Sequence, residues 1–111
     1  MLEQVHRMRS SEDFRVTVRR GVKVAQPTLV IHVLPGDGGV TSVGLVVSKS
    51  VGSAVTRNRV KRRLRHLMRD RLSDVPSGSR IVVRALSPAK DSSSTTLADD
   101  LDVALARAGA R

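Results

Sequence analysis

The sequence contains no cysteine, no tryptophan and no tyrosine, and its one phenylalanine is Phe14. Without cysteine there is no disulfide scaffold, no thiol nucleophile and no zinc site built on thiolates. No apolar run approaches the roughly 20 residues that a membrane-spanning helix needs. The N-terminus lacks the apolar stretch of a signal peptide, so a cytoplasmic chain with no membrane association is expected. With aromatics nearly gone, the 40% of hydrophobic residues must build a core from Val, Leu, Ala and Ile. Acids are scarce too: 10 Asp+Glu stand against 20 Lys+Arg, a formal net charge of +10 on 111 residues. That length fits one domain over 1–111, with flexible ends expected at about 1–8 and 109–111.

The positive charge is unevenly placed. Residues 1–71 carry 15 basic and 5 acidic side chains, a net of +10, whereas residues 72–111 carry 5 of each. Ser53 to Arg71 alone holds 8 basic residues against Asp70. Such a concentration repels itself and persists where a polyanion neutralises it. The composition therefore points to nucleic acid.

Along the chain, Ser10 is a helix cap with Asp13 three residues on, and Phe14 and Val18 share one face of that helix. Arg19 and Arg20 suit its last turn, and Gly21 suits its end. Val22 to Ala25 reads as a short edge strand, Thr28 to Leu34 as a strand, and Ser42 to Ser48 as another. The latter two flank Pro35-Gly36-Asp37-Gly38-Gly39 and are expected to form an antiparallel hairpin. A long helix follows from about Ala54 to Leu72, capped by Ser53. Pro76 and Gly78 stop it, Arg80 to Leu86 is a strand, and Thr96 with Asp99 opens a last helix. The order helix, strands, helix, strand, helix makes an α+β sandwich, its helices packed on one sheet.

At 100° per residue, Val60, Leu64, Leu67, Met68 and Leu72 line one side of the long helix. Asn58, Arg62, Arg65 and Arg69 point the opposite way, with Lys61 on one flank and Arg59, Arg63 and His66 on the other. Surface helices usually interleave acids to gain pairs one turn apart, and this one hardly does. Arg57 and Arg59 sit near the helix N-terminus, where the macrodipole disfavours cations by a few tenths to about 1 kcal/mol each. That arrangement costs stability and marks a place to look for function, because the same end offers free backbone N–H groups to an anion. Arg side chains there suit bidentate phosphate contacts, and Asn58 suits a sugar hydroxyl or base edge.

The run Ser48-Lys49-Ser50-Val51-Gly52-Ser53-Ala54-Val55-Thr56-Arg57-Asn58-Arg59-Val60-Lys61-Arg62-Arg63-Leu64-Arg65 closely resembles the signature of the bacterial ribonuclease P protein component. The similarity extends to Glu12-Asp13-Phe14 ending near Gly21, to Val43-Gly44-Leu45, and to Ile81-Val82-Val83, covering roughly residues 7–108. The resemblance implies a four-stranded mixed sheet in the order α-β-β-β-α-β-α with a left-handed strand–helix–strand crossover, a hand that ordinary folds avoid. It implies a small basic subunit that joins a catalytic RNA, the two together removing the 5′ leader of precursor tRNA. Magnesium ions bound by the RNA would do the chemistry, with none bound directly by the protein and no obligate protein partner. Matched to the signature, Arg57, Asn58, Arg59, Lys61, Arg62 and Arg65 would meet the catalytic RNA, with Arg63 and Arg69 of the same helix as added contacts. Phe14, Val18, His32 and Lys49 match a cleft for the single-stranded leader, with Arg15 and Arg84 as added contacts. Two departures stand out: Val18 and His32 replace aromatics common in relatives, and Ser50 replaces a second basic residue after the Ser-Lys pair. Base stacking on an aromatic is worth about 1–3 kcal/mol, so leader contact here should lean on charge.

No set of residues suggests catalysis by the polypeptide itself. Glu12 and Asp13 read as first-turn helix acids, Asp37 as a turn residue and Asp74 as a helix-end loop residue. Asp99 and Asp102 share a helix face at a helix start, where acids are favoured anyway. His6, His32 and His66 are scattered. The rival readings are a structural ribosomal-type RNA-binding protein, a DNA-binding helix module and a free-standing nuclease. The second lacks a short helix ahead of the basic one at helix-turn-helix spacing.

Overall fold

A computed structural model of the protein describes residues 3–110; of the ends expected to be flexible, residues 1, 2 and 111 lie outside the described residues. Helix α1 spans Ser11–Arg20, with the Ser10 hydroxyl accepting from the Asp13 N–H at 3.4 Å. Strands β1 (Val22–Ala25), β2 (Leu29–Leu34) and β3 (Ser42–Val46) follow, then helix α2 (Ala54–Arg69), strand β4 (Arg80–Ala85) and helix α3 (Ser94–Arg107). This is the expected order of elements. Gly21 ends α1 for want of space, not through a left-handed turn. Its φ is −71°, and a Cβ there would lie 2.5 Å from the Thr17 carbonyl oxygen and 2.9 Å from that of Val33.

The sheet runs β1-β2-β4-β3. Strand β4 pairs antiparallel with β2 and parallel with β3, so β2 and β3 do not form the expected hairpin. The intervening loop packs against the entry to β4 instead: the Gly38 N–H donates to the Ser77 carbonyl at 3.0 Å, and the Gly78 N–H to the Thr41 hydroxyl at 3.2 Å. Those contacts carry β3 past β4 to the far edge. A central place also explains why Leu29-Val30-Ile31-His32-Val33 is apolar almost without alternation: both faces of β2 are covered. Helix α2 is the crossover between the parallel pair β3 and β4.

One sheet face presents Leu29, Ile31, Val33, Ile81 and Val83 to Val60, Leu64 and Met68 of α2 and to Leu97, Leu101 and Leu105 of α3. The other presents Val30, His32 and Val82, all buried, beneath α1. Helix α2 ends at Arg69, short of Leu72, because the chain tightens into a 3₁₀ turn at Leu72–Asp74. That turn places the Arg71 guanidinium on Asp102 of α3, Nε to Oδ1 at 2.6 Å and Nη2 to Oδ2 at 3.1 Å. Helix α3 starts two residues before the expected Thr96, because the Ser93 hydroxyl, within what reads as a polar loop, accepts from the Thr96 N–H at 3.1 Å. Strand β3 stops at Val46, since Lys49–Val51 turns into a 3₁₀ segment. The stretch expected to be flexible up to residue 8 forms a 3₁₀ turn at Gln4–His6, and the Met8 N–H then donates to the Val43 carbonyl at 2.8 Å.

Candidate nucleic-acid interface

Gly52, at φ 152°, turns the chain into α2, and the Ser53 hydroxyl accepts from the Thr56 N–H at 3.3 Å. No acid occupies the first turn, leaving Arg57 and Arg59 against the macrodipole. Val60, Leu64 and Met68 are buried, and Leu67 and Leu72 pack half-buried against them, so the expected apolar stripe forms the inner face. Asn58, Arg62 and Arg69 are exposed, while Arg57, Arg59, Lys61, Arg63 and Arg65 are half-buried on the flanks.

Of these cations only Arg69 meets an acid among the described residues, Asp70 at 3.4 Å. Arg59 and Arg63 reach towards the segment before α3, donating to the Lys90 carbonyl at 3.4 Å and the Ser92 carbonyl at 3.2 Å. Arg57, Asn58, Lys61, Arg62 and Arg65 make no side-chain hydrogen bond or ion pair with any described residue. The Nε atoms of Arg57 and Arg59 are buried without an acceptor. Buried donors are normally satisfied, so these two are exceptions among the described residues. Arg71 contrasts with them: its hydrogen bond to Asp102 holds the guanidinium above its ordinary pKa, and it serves the fold.

On the α1 side of the sheet, Phe14 lies directly over Gly44 of β3; a Cβ there would come within 2.3 Å of the ring's Cε1. The glycine makes room for the only aromatic in the chain. His32 on β2 is 5% exposed, so it is a buried neighbour of the cleft and not an open wall of it, and its Nδ1 has no partner. Burial first, then the charges of Arg84 and Lys23, hold its pKa below the ordinary 6.5. Arg84 is exposed, and Val18 is 37% exposed at the far end of α1. Arg15 pairs with Glu12 one turn back. Lys49 is exposed on the 3₁₀ turn leading into α2. Thus Arg84 and His32 share a sheet face under α1, Phe14 reaches the β3 edge, and Lys49 stands at the approach to the basic helix.

A recess of about 260 Å³ opens beside Phe14, lined by Arg7, Met8, Arg9, Val43, Leu45, Lys61 and Arg65. A second groove, of about 290 Å³, lies between α2 and the start of α3, along Arg62, Arg63, His66, Leu67 and Ser94. Arg7, Met8 and Arg9 escape the sequence reading: residues up to 8 are assigned to a flexible end, and Arg9 is given no role. The signal was the alternation of two arginines about an apolar residue, the pattern of a short edge strand.

Among the described residues, no three His, Asp or Glu side chains gather as metal ligands would. Asp100 accepts from the Thr28 N–H at 3.1 Å, Asp37 from the Gly39 N–H at 2.9 Å, and Asp102 holds Arg71. His6 Nδ1 lies 2.8 Å from the Thr41 carbonyl oxygen. These groups are tied into loops and helix ends. No described helix is long and apolar enough to cross a membrane.

Comparison with known proteins agrees with this geometry. The ribonuclease P family model matches residues 2–109. The ribonuclease P protein component of Streptomyces avermitilis is 51% identical, with 96% of this chain and 94% of that protein covered. Its counterpart in a Nocardioides species is 48% identical over 99% of this chain and 97% of that one. The solved Staphylococcus aureus RNase P protein superimposes with a TM-score of 0.85 at 28% identity, covering 96% of this chain and 98% of that one. Basic helix, sheet order and sequence agree, and the chain belongs to the bacterial ribonuclease P protein component family.

Proposed function

We propose that this chain docks on the catalytic RNA of ribonuclease P through the outer face of α2 and holds the 5′ leader of precursor tRNA beside α1. The observation that carries this reading is the set Arg57, Asn58, Lys61, Arg62 and Arg65, which project from one helix with no side-chain partner among the described residues. Arginines suit the bidentate capture of phosphate, and Asn58 suits a ribose hydroxyl. Arg59, Arg63 and Arg69 extend the same face. On the leader side, Phe14 offers one stacking surface, and Lys49, Arg84 and Arg15 offer charge, while Val18 shapes the wall and His32 lies buried behind it.

Magnesium ions held by the RNA would supply the metal-activated water for hydrolysis. The polypeptide's own groups bind and orient. Precursor tRNA and catalytic RNA are both polyanions, so their approach is opposed, and a chain of net charge +10 lowers that repulsion. By organising phosphates it also steadies the sites at which the RNA holds its ions. Leader contacts add affinity that mature tRNA has no means to collect, so substrate is favoured over product.

The test is multiple-turnover cleavage of precursor tRNA by the bacterial catalytic RNA at low magnesium, with and without this protein. Faster turnover with the chain present, and no cleavage by the chain alone, is the expected result. Cleavage without any RNA subunit, or no effect on turnover, overturns the reading.

A further inference from the structure

We infer that the recess at the outer edge of β3 is a binding site for one unpaired nucleotide of the catalytic RNA, its base on the apolar floor and its phosphate on the basic rim. This rests on the docking of α2 described above and adds an occupant and new residues to it.

The floor is Met8, Phe14, Val43 and Leu45, and the rim carries Arg9, Lys61 and Arg65. No acid lines the recess. Arg9, Lys61 and Arg65 enter no hydrogen bond or ion pair with a described residue, so the N-terminal segment and α2 aim uncompensated charge at one point. The volume of about 260 Å³ falls just below the roughly 300 Å³ at which sites for drug-sized ligands begin, which suits a single base.

Backbone polarity fits as well. Ser42 directs its N–H to Ser79, and Val43 directs its carbonyl outward to Met8. Alternation along a parallel ladder therefore turns the N–H and C=O of Leu45 to the same outer edge, beyond the last contact with the N-terminal segment. A donor and an acceptor side by side match the polar edge of a nucleobase, as unstacked RNA bases are commonly read. Two of the rim cations belong to the helix face assigned to the catalytic RNA. Neither His32 nor Arg84 lines the recess, whereas Lys61 and Arg65 do, which favours that RNA over the leader.

Arg9 is exposed, so Arg9→Gln leaves the fold intact, and unchanged thermal melting verifies this. Leu45→Trp, which fills the recess, is the second variant. Affinity is measured separately for the full catalytic RNA and for a short single-stranded leader oligonucleotide, alongside 2′-hydroxyl acylation footprinting of the catalytic RNA. With Arg9→Gln, binding of the catalytic RNA should weaken about tenfold, with a salt slope shallower by roughly one unit. One unpaired nucleotide protected by the parent protein should become reactive with either variant, while leader affinity stays level with Arg9→Gln. Unaltered footprint and affinity with Arg9→Gln refute the site, and a loss confined to the leader oligonucleotide assigns the recess to the leader instead. An Arg57→Gln control that also fails to weaken catalytic-RNA binding locates the failure in the docking of α2 itself.

Discussion

Replacing Arg57, Arg62 and Arg65 together with glutamine separates RNA docking from folding. None of the three makes a side-chain hydrogen bond or ion pair within the described chain, and glutamine keeps their helix propensity, so stability should hardly change. Each phosphate contact releases counterions and contributes about 0.7 to 0.9 to the slope of log affinity against log salt. Loss of three contacts should flatten the slope by about 2.1 to 2.7. Between 50 and 200 mM salt that alters the loss of affinity by about 20- to 40-fold. Filter binding or fluorescence titration of the catalytic RNA across that range reads it directly. Arg71→Gln is the counterpart: it removes one positive charge just past the helix end but should leave the slope near the parent's, since that guanidinium is committed to Asp102. A triple variant with the parental slope would show that α2 does not touch phosphate, and the assignment of the interface would fall.

Arg71→Ala should cost about 2 kcal/mol, because it removes the hydrogen bonds this guanidinium donates to the Leu67 carbonyl and to Asp102; urea unfolding reads the loss. Gly44→Ala should drive the Phe14 ring from its seat, costing about 1–3 kcal/mol in urea unfolding; an unchanged midpoint would show that the ring yields without cost. His32 carries a folded pKa below 6.5, so below that pH the unfolded chain takes a proton the folded chain resists. Its contribution to stability is complete above pH 6.5 and is lost as pH falls through the lowered folded value. Denaturation midpoints should therefore drop more steeply on acidification in the parent than in His32→Leu, and parallel curves would exclude the effect.

The basic helix was legible because charge and apolar spacing repeat on the same 3.6-residue period, so Val60, Leu64 and Met68 identify the inner face and Arg62 and Arg65 the outer one. The cap at Ser53 was legible for the same local reason. Strand order was not. Leu29 to Leu34 and Ser42 to Ser48 read as neighbours, since sequence proximity favours a hairpin. What separates them is the hold of Ser77 and Gly78 on the intervening loop, a contact some 40 residues away in sequence. The resemblance matches His32 to the leader cleft, and alternation along the strand does not reveal how deeply a crossing helix buries it. The three residues Arg7, Met8 and Arg9 have too little periodicity to stand out, and they gain structure only by leaning on the edge of β3.

That edge has a consequence for the protein before it meets RNA. An uncovered strand edge is a template for pairing with a second copy, and natural sheets defend such edges with charge. Here Arg9, Lys61 and Arg65 ring the open part of β3, so two free molecules bringing these edges together would crowd like charges into one seam. The guard against self-association and the hold on a polyanion are thus the same side chains, and neutralising them without filling the edge exposes the chain to aggregation.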